Sequence, residues 1–188
     1  MKREIGAKNC LYPLPTVLVG ALVNEKPNYI TMAHVGIADP DSISLGMNKK
    51  HYTNIGIKEN KSFSVNIPDE DMVKVTDYCG IVAGKREDKS VLFKAFYGKL
   101  GNAPMIEECP VCMECELIAT IDFPNHDLFI GKVAATYCDE EVMTDTAVDF
   151  SKIRPVLFTM TDRNYYCLGD RLAKPWTIGK EFRTNKGH

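Results

Sequence analysis

The order of apolar and polar positions predicts a chain of short strands with a few short helices. Residues 14–23 form an apolar run bounded by prolines, which reads as a buried strand. A turn at 25–28 leads into 29–38, where β-branched, aromatic and small residues mix, and Asp39-Pro40-Asp41 marks the next turn. Residues 42–47 alternate, with Ile43, Leu45 and Met47 on one face, and 63–67 alternate likewise. Between these two strands, Thr53 is placed to cap and open a short helix over 53–59. Pro68 and Asp69 start a second helix carrying Met72, Val73 and Val75, with Gly80 as its stop, and 87–97 is expected to form a third. Strands return at 105–106, 112–122, 128–138, 156–161 and 165–168. Trp176 is expected to pack the tail onto the body, with the charged end beyond it mobile. No repeat, low-complexity tract or linker interrupts the series. The pattern therefore predicts one domain over 1–188, mainly β with short helices, arranged as a barrel.

Composition narrows the functional classes. The chain has 188 residues, 45% hydrophobic and 26% charged, with a formal net charge of −2. Such a chain can bury an extensive core and has no global excess of basic charge, so neither nucleic acid nor a membrane surface is expected as a partner. No apolar run approaches the roughly 18 residues of a membrane helix. The apolar stretch 16–23 is short, contains Gly20 and lacks a signal-peptide cleavage pattern, so a cytoplasmic location is expected. Seven cysteines, an odd and scattered set, fit reduced thiols better than a disulfide framework.

The densest polar chemistry lies at Asn48-Lys49-Lys50-His51-Tyr52-Thr53. Lysine charge, a hydroxyl and free backbone N–H groups at a helix start together suit a phosphate. A polar turn that merely caps the helix would use the same residues. The flanking strands could supply backbone edges for a planar ring. That combination points to a phosphorylated aromatic cofactor.

Beyond this cluster, the chain resembles the flavin reductase-like family, specifically the flavoredoxin type of FMN-binding split barrel. The resemblance runs from about Pro13 to Phe182, and the order and spacing of its short motifs carry it. These are Asn28-Tyr29-Ile30-Thr31-Met32-Ala33-His34, Asn48 through Ile55, Phe63-Ser64-Val65-Asn66, Asp77-Tyr78-Cys79-Gly80 and Gly84-Lys85-Arg86-Glu87-Asp88-Lys89. They continue with His126-Asp127-Leu128-Phe129-Ile130-Gly131-Lys132-Val133, Pro155 to Phe158 and Tyr165-Tyr166-Cys167-Leu168-Gly169. The resemblance implies a split β-barrel and FMN at a homodimer interface. It implies that Thr31, Met32, Ala33 and His34 lie along the isoalloxazine. Asn48, Lys49, Lys50, His51 and Thr53 would hold the phosphate and ribityl chain. Ser64, Val65 and Asn66 would border the ring through main-chain groups. Lys89 would approach the pyrimidine end and favour the anionic reduced flavin. The common family pattern has Arg near the phosphate where this chain has Lys49-Lys50, which keeps the charge but loses the bidentate fork.

His126 reads either as a turn histidine between two strands or, by the resemblance, as a residue near the flavin face that positions a nicotinamide or shuttles a proton. The implied activity is an oxidoreductase that passes reducing equivalents from NADH or NADPH through FMN to an acceptor. The alternative is a flavoredoxin-type electron carrier with tightly bound FMN and a protein redox partner. A split barrel that binds another ligand, or only a partner protein, is a third reading.

Cys109, Cys112 and Cys115 have the C-x2-C-x2-C spacing that invites an iron–sulfur or zinc reading. A fourth ligand at suitable spacing is missing, and in an extended strand Cys112 points opposite to Cys115. Buried small hydrophobes fit them better, and no metal site is expected. No G-x-G-x-x-G follows a strand, no P-loop is present and no nucleophile elbow exists to start a hydrolase triad.

Overall fold

The structure, a computed structural model, describes residues 1–182; the end of the tail at 183–188, expected to be mobile, lies outside the described residues. The apolar run at 14–23 divides at Thr16. β1 (Leu14–Pro15) joins a small sheet, whereas β2 (Val17–Val23) lies inside a large one. Val17, Val19 and Ala21 of β2 point into one apolar cluster and Leu18 into another. A strand covered on both faces has no polar side, which explains the unbroken apolar run.

β3 (Lys26–Met32) follows β2 through a two-residue turn in which Asn24 and Glu25 both take left-handed backbone, at φ 50° and 63°. The turn thus falls earlier than 25–28, and Pro27 sits on an edge strand, where its missing N–H is tolerated. β4 (Val35–Asp39), β5 (Ser42–Asn48), α1 (Thr53–Asn60) and β6 (Ser62–Ile67) come next. α1 packs so closely on β2 that a Cβ on Gly56 would lie 2.1 Å from the Leu22 carbonyl oxygen.

The Asp69 side chain accepts from the Met72 N–H and caps a 3-10 turn, after which α2 runs over Val73–Ile81. Gly80 is not the stop expected of it but lies within α2, facing Thr31 on β3. The helix expected at 87–97 does not form. Residues Lys89–Val91 make one 3-10 turn, and β7 (Ala95–Phe96) pairs with β8 (Met105–Ile106). Burial decides this: Lys89 is drawn inward by backbone carbonyls, while Phe93 and Phe96 pack against Tyr29 and Tyr137. A single helical face could not serve these separate contacts.

The long strands β9 (Val111–Asp122) and β10 (His126–Cys138) form the centre of the large sheet. β11 (Met143–Thr144) and β12 (Ala147–Val148) make a short hairpin, followed by α3 (Phe150–Ile153), β13 (Val156–Thr159) and β14 (Asn164–Cys167). The large sheet has the order β3-β2-β6-β9-β10-β5-β4 with antiparallel pairing throughout. Its two end strands are unpaired with each other, yet only Ala33 and His34 separate β3 from β4. The sheet must therefore curl until its ends meet at those residues. This is a split barrel in one domain, with the split at 33–34. The second sheet, β1-β13-β14, adds a flap. Trp176 does not pack the tail as expected: it is 89% exposed, and no described residue covers it.

Candidate functional site

The split leaves a cavity of about 520 Å³. One wall is the chain from Thr31 to His34 as it leaves β3, backed by Asn48, His51 and His126. The facing wall brings Asp77, Gly80 and Ile81 of α2 and the β13–β14 hairpin. A smaller cavity of about 180 Å³ adjoins it, sharing His51, Gly80 and Ile81. Its walls include Lys50 and Thr53 at the start of α1, together with Lys85 and Lys89. Sequence neighbours thus divide between two hollows because α1 begins where β5 ends.

Lys89 is the electrostatic centre of the smaller cavity. Its side chain is 3% exposed, and Nζ donates to the carbonyls of Tyr29 at 2.9 Å and Cys79 at 2.7 Å. It forms no ion pair among the described residues, and burial pulls its pKa below the usual lysine value. A buried ammonium without a carboxylate is costly, and an anion in the adjoining cavity would offset that cost. The start of α1 adds backbone dipole, because Tyr52 at the N-cap makes no side-chain capping bond. Thr53 is not the cap expected of it: it is the first helical residue, and its Oγ1 accepts from Asn28 Nδ2 at 2.7 Å.

Two buried polar atoms at the cavity walls lack a partner among the described residues: Thr16 Oγ1 on the larger cavity, and His51 Nδ1 on the wall shared by both. Such orphans are unusual and mark places where a bound group would complete the hydrogen bonding. Burial, then the nearby His126 and Lys89, holds the His51 pKa below its ordinary value. Asn48 pairs across the sheet with His126, and its carbonyl accepts from Asn54 Nδ2 at 2.9 Å. The rings of His34 and His126 stand 6.4 Å apart across this wall. The donor set fits a flat group in the larger hollow and a phosphate in the smaller one.

Thr31, Met32, Ala33, His34, Asn48, His51 and His126 therefore meet on the larger cavity, and Lys50, Thr53 and Lys89 on the smaller. Lys89 lies with the helix start and does not line the larger cavity, where the pyrimidine end was expected. Lys49 lines neither cavity: Nζ is held by Asp122 and, at 2.9 Å, by Asp127, and both raise its pKa. Ser64, Val65 and Asn66 also miss both. Ser64 Oγ donates to the Pro104 carbonyl, and Asn66 binds the Leu18 carbonyl at 2.9 Å and the Ile106 N–H at 3.0 Å. Val65 packs into the barrel core. Strand β6 is interior to the sheet, so the hydrogen bonds of these residues are spent on the fold.

The sequence reading named no site residue in the α2 and β13–β14 walls. Tyr165 Oη donates to Asp77 Oδ1 at 2.9 Å, tying the flap to α2, and burial with Asp77 pushes the phenol up to about 12. Arg163 stands at the hairpin turn on the larger cavity. The motifs at 77–80 and 165–169 were the available signal, but nothing in their spacing shows that they face each other. Cys112 and Cys115 lie in different apolar clusters on opposite faces of β9, and burial pushes both thiols up to about 12. Among the described residues no group of three His, Cys, Asp or Glu side chains could hold a metal ion, and no helix is long and apolar enough to cross a membrane.

Comparison with known proteins places this architecture. The chain matches the family model described as "Flavin reductase like domain" over residues 9–163. A flavoredoxin from Methanosarcina acetivorans is 40% identical with a TM-score of 0.94, the match covering 97% of this chain and all (100%) of that one. The flavoredoxin of Desulfovibrio vulgaris (Miyazaki F) is 35% identical with a TM-score of 0.88, covering 95% of this chain and 100% of that one. A protein of Archaeoglobus fulgidus described as uncharacterized is 30% identical over 65% of this chain and 71% of its own length. With the match spanning most of its length, the chain belongs to the flavin reductase-like family.

Proposed function

We propose that the chain is an FMN-binding oxidoreductase that passes reducing equivalents from NADH or NADPH through FMN to an acceptor. The observation that carries this reading is the buried Lys89 ammonium, without a carboxylate partner among the described residues, beside a small cavity that adjoins a larger one walled in part by strand residues. Thr31 to His34 would border the isoalloxazine. Lys50, His51, Thr53 and Lys89 would hold the phosphate end. Bound FMN supplies reversible uptake of a hydride or an electron pair.

The chain's own contribution is placement and charge. Lys89 is fixed by two carbonyls, so its remaining N–H is preorganised for an anion, with little conformational entropy left to lose. His51 stays neutral at neutral pH because burial disfavours its charged form, which suits a hydrogen bond to a ribityl hydroxyl. His126, beside His34, is the group placed to hold or release a proton at the open side of the ring. The reading includes a cytoplasmic homodimer with the flavin between subunits.

The test is the absorption spectrum of the purified protein and the identity of the chromophore released from it. A flavin spectrum with FMN released is expected; colourless protein that takes up no added FMN would end the reading. Similarity to two flavoredoxins favours a second reading, an electron carrier with tightly held FMN and a protein redox partner. Stopped-flow mixing with NADH and NADPH separates the two. Saturable bleaching of the flavin marks the reductase, and inertness to both nucleotides marks the carrier.

A further inference from the structure

The cations of the site form two groups on different walls. Lys50, Lys85 and Lys89 line the smaller cavity and not the larger, whereas Arg163 lines the larger cavity and not the smaller. The phosphate of one mononucleotide is satisfied at the first group. Arg163 is then left on the larger cavity without a phosphate of that mononucleotide to bind.

Several observations converge on that second position. Arg163 ends the turn between β13 and β14 with left-handed backbone, φ 56°, and forms no ion pair among the described residues. The carboxylate nearest in sequence, Asp162, is already engaged: it accepts from Thr159 Oγ1 and Tyr166 Oη. Those two bonds shape the turn and occupy both carboxylate oxygens, so Asp162 keeps its charge but makes no ion pair with the guanidinium. The hairpin is held at the cavity by the Tyr165–Asp77 bond, so the turn has a fixed place. On the same side, Thr16 is fully buried, its N–H donates to the Val156 carbonyl at 2.8 Å, and its Oγ1 lines the cavity without a partner. The larger cavity therefore has, opposite the Asp77 carboxylate already bound by Tyr165, an exposed guanidinium without an ion pair among the described residues, and an orphaned hydroxyl.

From this arrangement we infer that Arg163 is a donor-binding residue that holds the pyrophosphate of a reduced pyridine dinucleotide lying over the flavin. The inference rests on the flavin reading and adds to it the residue that captures the electron donor. A guanidinium presents forked donors that match phosphate oxygens, and a cation free of intramolecular pairing keeps its full attraction for them. The dinucleotide carries its charge away from the nicotinamide, so its reacting ring can meet the flavin while its phosphates reach the flap. Arg163 touches no reacting atom in this arrangement. Its loss should weaken capture of the donor without slowing hydride transfer once the donor is bound.

The experiment uses FMN-loaded protein mixed with increasing NADH or NADPH while flavin absorbance is followed, for the unaltered chain, Arg163→Glu and Arg163→Lys. For Arg163→Glu the half-saturating concentration should rise about tenfold or more, as expected for a lost charge-assisted hydrogen bond, with the limiting rate held within about twofold. Arg163→Lys should restore most of the affinity, and the salt dependence of half-saturation should flatten in Arg163→Glu. Affinity for FMN, measured by titrating the apo-protein, should be the same in all three. An unchanged half-saturation in Arg163→Glu, an effect on the limiting rate alone, or inertness of the unaltered protein to both nucleotides would overturn the inference. Failure of the unaltered protein to bind FMN would strike instead at the function on which it rests.

Discussion

The cleft at the barrel split and an apolar hollow elsewhere on the same barrel are of comparable size, about 520 and 620 Å³, yet their walls differ in kind. The apolar hollow is bounded by Val17, Val35, Ile43, Val65, Met113 and Val133, all of which also belong to or pack against the barrel core. Of the two acids at its edge, Asp41 is paired with Lys132 at 3.4 Å and Asp39 is exposed to solvent. In the cleft and the small cavity beside it, a buried ammonium has no ion-pair partner among the described residues, and an imidazole nitrogen and a hydroxyl have no hydrogen-bond partner there. Volume alone therefore does not distinguish a site here. What distinguishes it is polar capacity that the fold buries and leaves unused.

The strongest way to break the comparison is Lys89→Met. Losing the buried ammonium should weaken FMN binding by about a hundredfold, on the order of 2–3 kcal/mol, as judged by titration of the apo-protein. A change of less than about threefold would show that the small cavity does not hold the phosphate. Because burial lowers the Lys89 pKa, FMN affinity should also begin to fall at a lower pH than that at which an exposed lysine loses its charge. The matching change in the other hollow is Val65→Ala. It should lower stability by about 1–3 kcal/mol in urea unfolding, through the lost packing, and leave FMN affinity within about twofold. A large loss of affinity in that variant would return strand β6 to the site.

Protonation of His51 sharpens the contrast less steeply. Its folded-state pKa lies below the ordinary 6.5, so the unfolded chain binds the proton first as pH falls. The stability it contributes is present above pH 6.5 and is lost as the pH drops through 6.5 toward the folded pKa. The slope from this group is at most about 1.4 kcal/mol per pH unit. His51→Gln should flatten that part of a stability–pH profile; an unaltered slope would mean the ring is not buried neutral. The smallest effect is expected for Lys49→Ala. With its ammonium committed to Asp122 and Asp127, the substitution should change FMN affinity by less than about twofold, and a tenfold loss would put Lys49 back at the phosphate.

Lys49 and Lys89 also show how far the chain could be read without its fold. Lys49 stands in the cluster with the most evident phosphate chemistry, yet two aspartates from β9 and β10 claim it. Nothing in the local sequence places Asp122 and Asp127 beside β5. Lys89 was legible only as part of a short loop motif, inside a segment that reads as a helix. Its role follows from the carbonyls of Tyr29 and Cys79, which are far from it in sequence. The alternation in β5, β6, β9 and β10 was legible because side chains on a strand must sort to opposite faces. The seam at Ala33–His34 was not, because residues 29–38 keep strand-like composition across a break in the pairing.

By itself the sequence determined the strand-dominated architecture, the position of α1 and the two stretches, Thr31–His34 and Asn48–Thr53, that converge on the cleft. The architecture and α1 follow from local periodicity and Asn48–Thr53 from its residue types, whereas Thr31–His34 rests on the family resemblance. Only the tertiary structure decided which charges were free. Whether a lysine meets an aspartate, a carbonyl or an empty cavity depends on strands brought together from distant parts of the chain. That long-range pairing sent Lys49 to the surface ion pairs, left Lys89 buried and unpaired, and brought Arg163 to the far wall.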